Sequence, residues 1–429
     1  MPRELIVLMA GQMLGTLSQN SRGDLALTYA PEWRDHPDSY ALSLSMPLAS
    51  RTHGDSVVRP YLEGLLPDSQ GVLERWARQL HTSARNPFGL LAHMGEDCAG
   101  AVQIVPADRL ESLLAPSRDS VRWLSEAEVA KRLRDLVENH GTGRDSSDRG
   151  YFSLAGAQPK TVLTLEGGRW GVPSGAVPST HILKPPALDL DGFAINEHLC
   201  LTLVDELGLW TTKSEVHSFD GETTIVVERY DRRRVGDRVV RVHQEDLCQA
   251  MSVPPTLKYE ADGGPGAPES VTLLIEHSTD PESDVGTFLD ALALNWAISG
   301  TDAHAKNFSI LIGPGEAGLA PLYDIASALP YPAWIHPRKA KLAMRVGREY
   351  QIGKISRRHW VEFAARADLD ADPVVERVRA LIGAIPDATM RAVARVRGEG
   401  IEHEILNEME SKLIAHAHGC LRRMEKVGD

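Results

Sequence analysis

The chain has 429 residues, 42% hydrophobic and 24% charged, with a formal net charge of −13. That length predicts two or three domains with ample core, and the acidic balance argues against a surface built to grip a nucleic-acid backbone over its whole face. The four cysteines, Cys98, Cys200, Cys248 and Cys420, are scattered and form no CxxC, which fits a reducing compartment and argues against a zinc ribbon or a disulfide scaffold.

In chain order, the opening "MPRELIVLMAGQMLG" carries no long apolar stretch, and no run reaches the ~18 apolar residues of a membrane span. A cytoplasmic protein without membrane contact is expected. "ELIVLMAG", "QMLGTLSQ" and "LALTYAP" are short apolar runs separated by turn-forming residues and predict a small antiparallel sheet. "VLERWARQLHTS" places Val72, Trp76 and Leu80 at helical spacing, and "AGAVQIVP" returns to strand. "LSEAEVAKRLRDLVENH" is the clearest helix, with Ser125 and Glu128 in a capping-box pattern. It runs out into the Gly/Asp/Ser stretch 140–150, expected as a mobile loop.

"KTVLTLEG", "RWGVP" and "THILKPP" then read as strands, "AINEHLCLTLVDELGL" as a helix closed by Gly208, and "TTIVVERYDRR" and "RVVRVHQED" as two more strands. From about Gly286 the pattern is mostly helical, interrupted by "NFSILIG" and "LAPLYDI". The class is therefore α+β. The expected division is a mixed N-terminal domain over 1–115, a sheet-rich lobe over 116–250 and a helix-rich lobe over 251–429, and a cleft between two such lobes suits a small-molecule site.

The chemistry concentrates in "SGTDAHAKNFSILI", where Asp302, His304, Lys306 and Asn307 are wedged between two core-like runs. Such groups are costly to bury without partners, so the loop is held rigidly. Asp302 and Asn307 stand as D-x-x-x-x-N. Protein kinases use this spacing to put a proton-accepting Asp and a magnesium-binding Asn on one side of a short loop. Asp324 in "LYDIASAL" follows an apolar run, where a kinase needs a carboxylate to bridge magnesium to the phosphates; a helix N-cap is the plain alternative.

Lys184 ends the strand-like "HILK", and Glu197 falls at the flank of the apolar face of the next helix. A strand lysine and a helix glutamate that meet across a cleft hold the α- and β-phosphates in kinases; a snorkelling lysine and a solvated glutamate are the alternative. "SLAGAQPK" lets small residues approach phosphate oxygens, although it is neither a Walker A loop nor a GxGxxG. "VVERYDRR" can offer hinge backbone to an adenine beneath a ceiling such as Val227. Its Arg232, Arg233 and Arg234 read as a solvated charge run.

Taken together, "FSLAGAQPK", "THILKPP", "NEHLCLTLVDELGL", "VERYDR", "QEDLCQA", "KYEADGGPG", "GTDAHAKNFS" and "LYDIASA" resemble the HipA family of serine/threonine kinases, the toxin halves of bacterial HipBA toxin–antitoxin systems. "YAPEW", "LSLSMPL" and "LEGLLPDS" resemble the family's N-terminal domain, so the resemblance covers nearly the whole chain.

It implies a two-lobed, protein-kinase-like fold that uses ATP and Mg2+. Asp302 would be the catalytic aspartate and Asn307 and Asp324 the metal ligands. Lys184, paired with Glu197, would bind phosphate, with Ala155, Gly156, Ala157 and Gln158 as the phosphate loop. The Val226–Tyr230 hinge, including Glu228 and Tyr230, would face adenine. His304 and Lys306 belong to the signature, and loop support is their expected role.

Ser153 matches the serine that family members autophosphorylate, which ejects the loop and switches the kinase off. The preceding Gly/Asp/Ser segment suggests that few contacts resist this. Ala303 and Pro159 depart from the usual pattern without an expected loss of activity. The partners implied are a HipB-like helix-turn-helix antitoxin, which would carry most of the DNA contact, and a protein substrate for which an aminoacyl-tRNA synthetase is the candidate.

Three rivals remain at this level. A catalytically weak, kinase-fold co-repressor would act mainly through its antitoxin. A small-molecule kinase would share the two-lobe logic. A metalloenzyme would have to use the histidines around "HAH" at 416–418, which lack carboxylates or cysteines at ligand spacing.

Overall fold

The computed structural model describes residues 4–114, 121–138, 152–156, 158–185 and 190–425. The stretch 140–150 and Ala157 lie outside the described residues. The chain divides into two compact units that interleave in sequence: Met1–Pro185 with His217–Thr256 and Ser309–Ala317, and Pro186–Val216 with Leu257–Phe308 and Gly318–Asp429.

The first unit opens with strands β1 (Glu4–Met9), β2 (Gln12–Gln19), β3 (Leu25–Tyr29), β4 (Thr52–His53) and β5 (Val102–Val105), in sheet order β4-β3-β2-β1-β5. In β3, Leu25, Leu27 and Tyr29 are buried and Ala26 and Thr28 less so, the two-residue alternation of a sheet with one covered face. The helices Asp55–Gly64, Gln70–Gln79 and Pro87–Met94 cover that face with Val58, Tyr61, Leu62, Trp76, Phe88 and Leu91.

A second sheet takes β6 (Val121–Trp123), β7 (Thr161–Glu166), β8 (Arg169–Pro173), β9 (His181–Lys184), β10 (Ser214–Phe219) and β11 (Glu222–Glu228), in order β10-β11-β9-β7-β8-β6. Helix Glu126–Glu138 packs Val129, Leu133 and Leu136 into the same cluster as Leu163, Leu183 and Val226. Its capping box forms as read: Glu128 Oε2 accepts from Ser125 N at 2.8 Å, and Ser125 Oγ accepts from Glu128 N at 3.3 Å.

Where two strands were expected over 223–246, the chain makes four: β11 is followed by β12 (Arg232–Val235), β13 (Arg238–Arg241) and β14 (His243–Asp246). β12 and β13 form a separate hairpin, and β14 pairs with β15 (Ser309–Gly313), which leads into β16 (Glu316–Leu319).

The second unit is mainly helical. Helices Phe193–Glu206, Pro281–Ile298, Arg357–Arg366, Ala371–Gly398 and Glu404–Glu425 enclose Trp296, Trp360 and Phe363, all fully buried, with the two indoles 5.8 Å apart. A hairpin of β17 (Lys341–Val346) and β18 (Glu349–Gln351), unforeseen in a region expected to be helical, sits within it. Helix Phe193–Glu206, expected with the sheet-rich lobe, belongs to this unit.

Candidate active site

In the second unit, helix Pro281–Ile298 ends at Ser299, which turns into the left-handed region at φ 57. Gly300 follows with its amide on Asn295 O at 2.7 Å, and a Cβ there would sit 2.2 Å from Asn295 Oδ1, so a side chain would have to displace the Asn295 amide. The chain then closes the loop with Asp302 O, which accepts from His304 N at 2.8 Å and from Asn307 Nδ2 at 3.2 Å. The single turn Ala305–Asn307 carries the loop into Phe308 and β15. The Asn307 side chain is thus brought onto the Asp302 main chain within one loop.

The Asp302 carboxylate is exposed, and its Oδ1 accepts from the Tyr259 hydroxyl at 2.6 Å. Tyr259 packs edge-on against His304, ring centroids 4.9 Å apart, and Lys258 O accepts from Ala305 N at 3.2 Å. The buried His304 therefore supports the loop through Tyr259. Lys306 is buried, and its carbonyl accepts from the Tyr323 hydroxyl at 2.7 Å, next to Asp324.

Asp324 is exposed and holds φ 57. No helix starts there, so the N-cap alternative is not realised. Nor is "LAPLYDI" a strand beyond Leu319, where β16 ends: past it Leu322 makes an isolated bridge with Thr211. The main chain of Leu322 bonds residues 210–212, and that of Ser327 bonds the Asn196 side chain. Glu197, placed by the helical wheel at the flank of an apolar face, is 1% exposed, because its helix is covered all round from Ala194 to Val204.

The first unit carries the residues expected to form the phosphate loop. Lys184 closes β9, is buried, and its carbonyl accepts from Thr224 Oγ1 at 2.7 Å. Gly156 adopts φ 104, and a Cβ there would meet Lys160 Nζ at 2.4 Å, so glycine is required at this turn. Gln158 Nε2 is a buried donor with no hydrogen-bond partner among the described residues.

Ser153 is fully buried. Its hydroxyl donates to Leu65 O at 2.7 Å and its amide to Asp97 O at 3.0 Å, while Gly156 O accepts from Asp68 N at 3.3 Å. The expectation that few contacts hold this loop is overturned. All three partners come from the N-terminal part of the chain, where sequence spacing gives no hint of them.

The expected hinge segment is largely buried. Val227 is 7% exposed, Glu228 faces solvent, and the Tyr230 hydroxyl donates to Gln244 Oε1. Arg232 is not part of a solvated run. It reaches Asp97 at 2.9 Å and Asp231 at 3.1 Å, and only Arg233 and Arg234 are exposed. Asp97 also meets Arg241 at 3.2 Å and Arg229 at 3.5 Å, and accepts from Ser179 Oγ at 2.5 Å. Burial alone would raise the Asp97 carboxyl, but the Arg232, Arg229 and Arg241 guanidiniums outweigh it and hold it well below the usual carboxylate range. The signal for this cluster was present as Asp97 in "GEDCAG" and the alternating charges of "ERYDR", but their pairing spans the chain.

Among the described residues no group of three or more His, Cys, Asp and Glu could hold a metal ion. His416 is instead bonded through Nε2 to Trp296 O at 3.1 Å. The donors offered by Asn307 and Asp324 are hard oxygens, which suit magnesium: Asn307 uses Nδ2 on the loop and keeps Oδ1 for a ligand. The unpartnered Gln158 amide and the glycine turn likewise suit an anionic phosphate. No helix among the described residues is long and apolar enough to cross a membrane.

These elements define an α+β chain with a kinase-like fold. Residues 152–389 match the model of the HipA-like C-terminal domain and residues 5–105 that of the HipA N-terminal domain. The chain belongs to the HipA family of toxin kinases. It is 37% identical over 396 residues to the putative kinase Y4mE of Sinorhizobium fredii, covering 92% of each. It is 27% identical over 417 residues to the serine/threonine-protein kinase toxin HipA of Shewanella oneidensis, covering 94% of this chain and 91% of that one. A chain of the Shewanella oneidensis MR-1 complex of HipA, HipB and operator DNA superposes with a TM-score of 0.84 at 24% identity, over 99% of this chain and all of the other.

Proposed function

We propose that the protein is a serine/threonine-protein kinase that transfers the γ-phosphate of ATP, with Mg2+, to a serine of a protein substrate. The observation that carries this reading is the loop in which Asp302 and Asn307 are closed onto one another, with Tyr259 holding one carboxylate oxygen of Asp302. The Tyr259 bond occupies Oδ1 and leaves Oδ2 to take the proton of an attacking hydroxyl.

Asn307 Oδ1 and the Asp324 carboxylate would hold the magnesium, which when bound offsets charge on the phosphates. Lys184, Glu197 and the Ala155–Gln158 loop would bind the phosphates, and the Val226–Tyr230 backbone the adenine. The expected three-part division, with nucleotide lobe 116–250 and catalytic lobe 251–429, belongs to this proposal.

The likeness to a chain from a HipA–HipB–operator DNA complex supports a HipB-like helix-turn-helix antitoxin as partner. The net charge of −13 fits a division in which that partner makes most of the DNA contact. An aminoacyl-tRNA synthetase is the proposed substrate, and a cytoplasmic location follows from it.

The test is phosphoryl transfer from Mg–ATP to protein. Asp302→Asn should fold and bind nucleotide as the wild type does while losing ~10²–10⁴-fold in rate. Retention of more than about a tenth of the wild-type rate would remove Asp302 from its role.

A further inference from the structure

We propose that Asn196 is the positioning residue for Asp324, so that the helix bearing Glu197 also sets the metal-binding carboxylate; this rests on the magnesium role proposed above for Asp324. Asn196 is fully buried on helix Phe193–Glu206. Its side-chain amide is matched to both main-chain groups of Ser327: Oδ1 accepts from Ser327 N at 2.9 Å and Nδ2 donates to Ser327 O at 2.8 Å. Cys200 Sγ donates to the same Oδ1 at 3.4 Å. A flipped amide would set donor against donor and acceptor against acceptor, so one orientation is selected.

Ser327 is then locked from its other side. Its hydroxyl donates to Ile298 O at 2.6 Å, and Ala328 N donates to Ser299 O at 3.1 Å, at the end of the helix that delivers the Asp302 loop. A second anchor lies ahead of Asp324. Leu322 N donates to Trp210 O at 2.9 Å, and Leu322 O accepts from Thr212 N at 3.0 Å and Thr211 Oγ1 at 2.8 Å.

Asp324 thus sits between two anchors, both supplied by residues 196–212. At φ 57 its backbone lies in a region that non-glycine residues occupy only when their surroundings dictate it. Asp324 itself is exposed, and this backbone sets where its side chain leaves the chain. Without the Asn196 pair, the segment after Asp324 loses one of the two anchors that hold Asp324 left-handed, and its backbone can relax.

The experiment compares full-length wild type, Asn196→Ala, the near-isosteric Asn196→Asp and Asp324→Ala. ATP affinity is measured with Mg2+ and again in EDTA, together with the Mg2+ concentration giving half-maximal phosphoryl transfer. Asn196→Asp keeps the acceptor for Ser327 N but turns an oxygen against Ser327 O.

Both Asn196 variants should lose ~10–100-fold in Mg2+ affinity by both readouts, with binding in EDTA within about twofold of wild type and excess Mg2+ restoring rate. If Asn196→Ala fails to fold, Asn196→Asp decides. Unchanged Mg2+ dependence in a folded variant, or an equal loss of binding in EDTA, overturns the inference. Wild type whose ATP affinity ignores Mg2+, or Asp324→Ala that retains the Mg2+ effect, overturns instead the metal role on which it rests.

Discussion

Replacing Asp97 by Asn probes the most heavily charged buried cluster in the molecule. Asp97, 6% exposed, stands among Arg229, Arg232 and Arg241, and Asp231 is the remaining carboxylate of the group. Asn keeps the shape but removes the charge, leaving three guanidiniums against one carboxylate. Breaking a buried pair from one side costs about 3–5 kcal/mol. For a body of 150–250 residues that is a fall in melting temperature of about 6–20 °C.

The pH dependence has a definite sign. The native Asp97 carboxyl lies below its unfolded value, so its contribution is present above the unfolded pKa and is lost as pH falls through the native one. Melting curves of both proteins between pH 3 and 8 form the assay (a range set by the unfolded carboxyl near ~3.9). The gap should be full at neutral pH and narrow in acid. Asp97→Asn melting within about 3 °C of wild type at pH 7, or a gap that widens in acid, would refute the reasoning.

Autophosphorylation should map to Ser153, and Ser153→Ala should abolish it. Because the hydroxyl is buried on Leu65 O, the loop must open first, and the ~1.5–2 negative charges added at pH 7 prevent its return. Phosphate mapped elsewhere, or phospho-protein that binds ATP normally, would refute this. Glu245 is fully buried, accepts from Leu44 N at 2.7 Å, and has Oε2 without a hydrogen-bond partner among the described residues. Burial pushes its carboxyl up to about 8, so the native state keeps a proton that the unfolded chain releases above about 4.5.

Stability attributable to Glu245 is therefore full in acid and falls by about 1.4 kcal/mol per pH unit until the native group titrates. Between pH 6 and 8 the wild type should lose about 2 kcal/mol relative to Glu245→Gln in denaturant titrations. Parallel pH profiles would contradict the burial argument.

Much of the site was legible because its chemistry is local. Asp302 and Asn307 share one loop whose closure needs only the bonds on Asp302 O, and Lys184 ends a strand recognisable by its apolar run. Helices announced themselves by period and cap, as Ser125 and Glu128 did. What sequence alone could not supply were pairings between distant residues. Tyr259 on Asp302, Leu65, Asp68 and Asp97 on the Ser153 loop, and Arg232 on Asp97 join residues whose spacing carries no period.

The same holds where expectation failed. Arg232 reads as solvated until its carboxylates are placed beside it, and "LAPLYDI" reads as a strand until residues 210–212 take the main chain of Leu322. Composition, local propensity and motif spacing determined the class of elements and the types of chemical group. Only the tertiary fold decided which buried polar group met which partner, because the energy of a buried charge or amide depends on the neighbour brought to it from elsewhere in the chain.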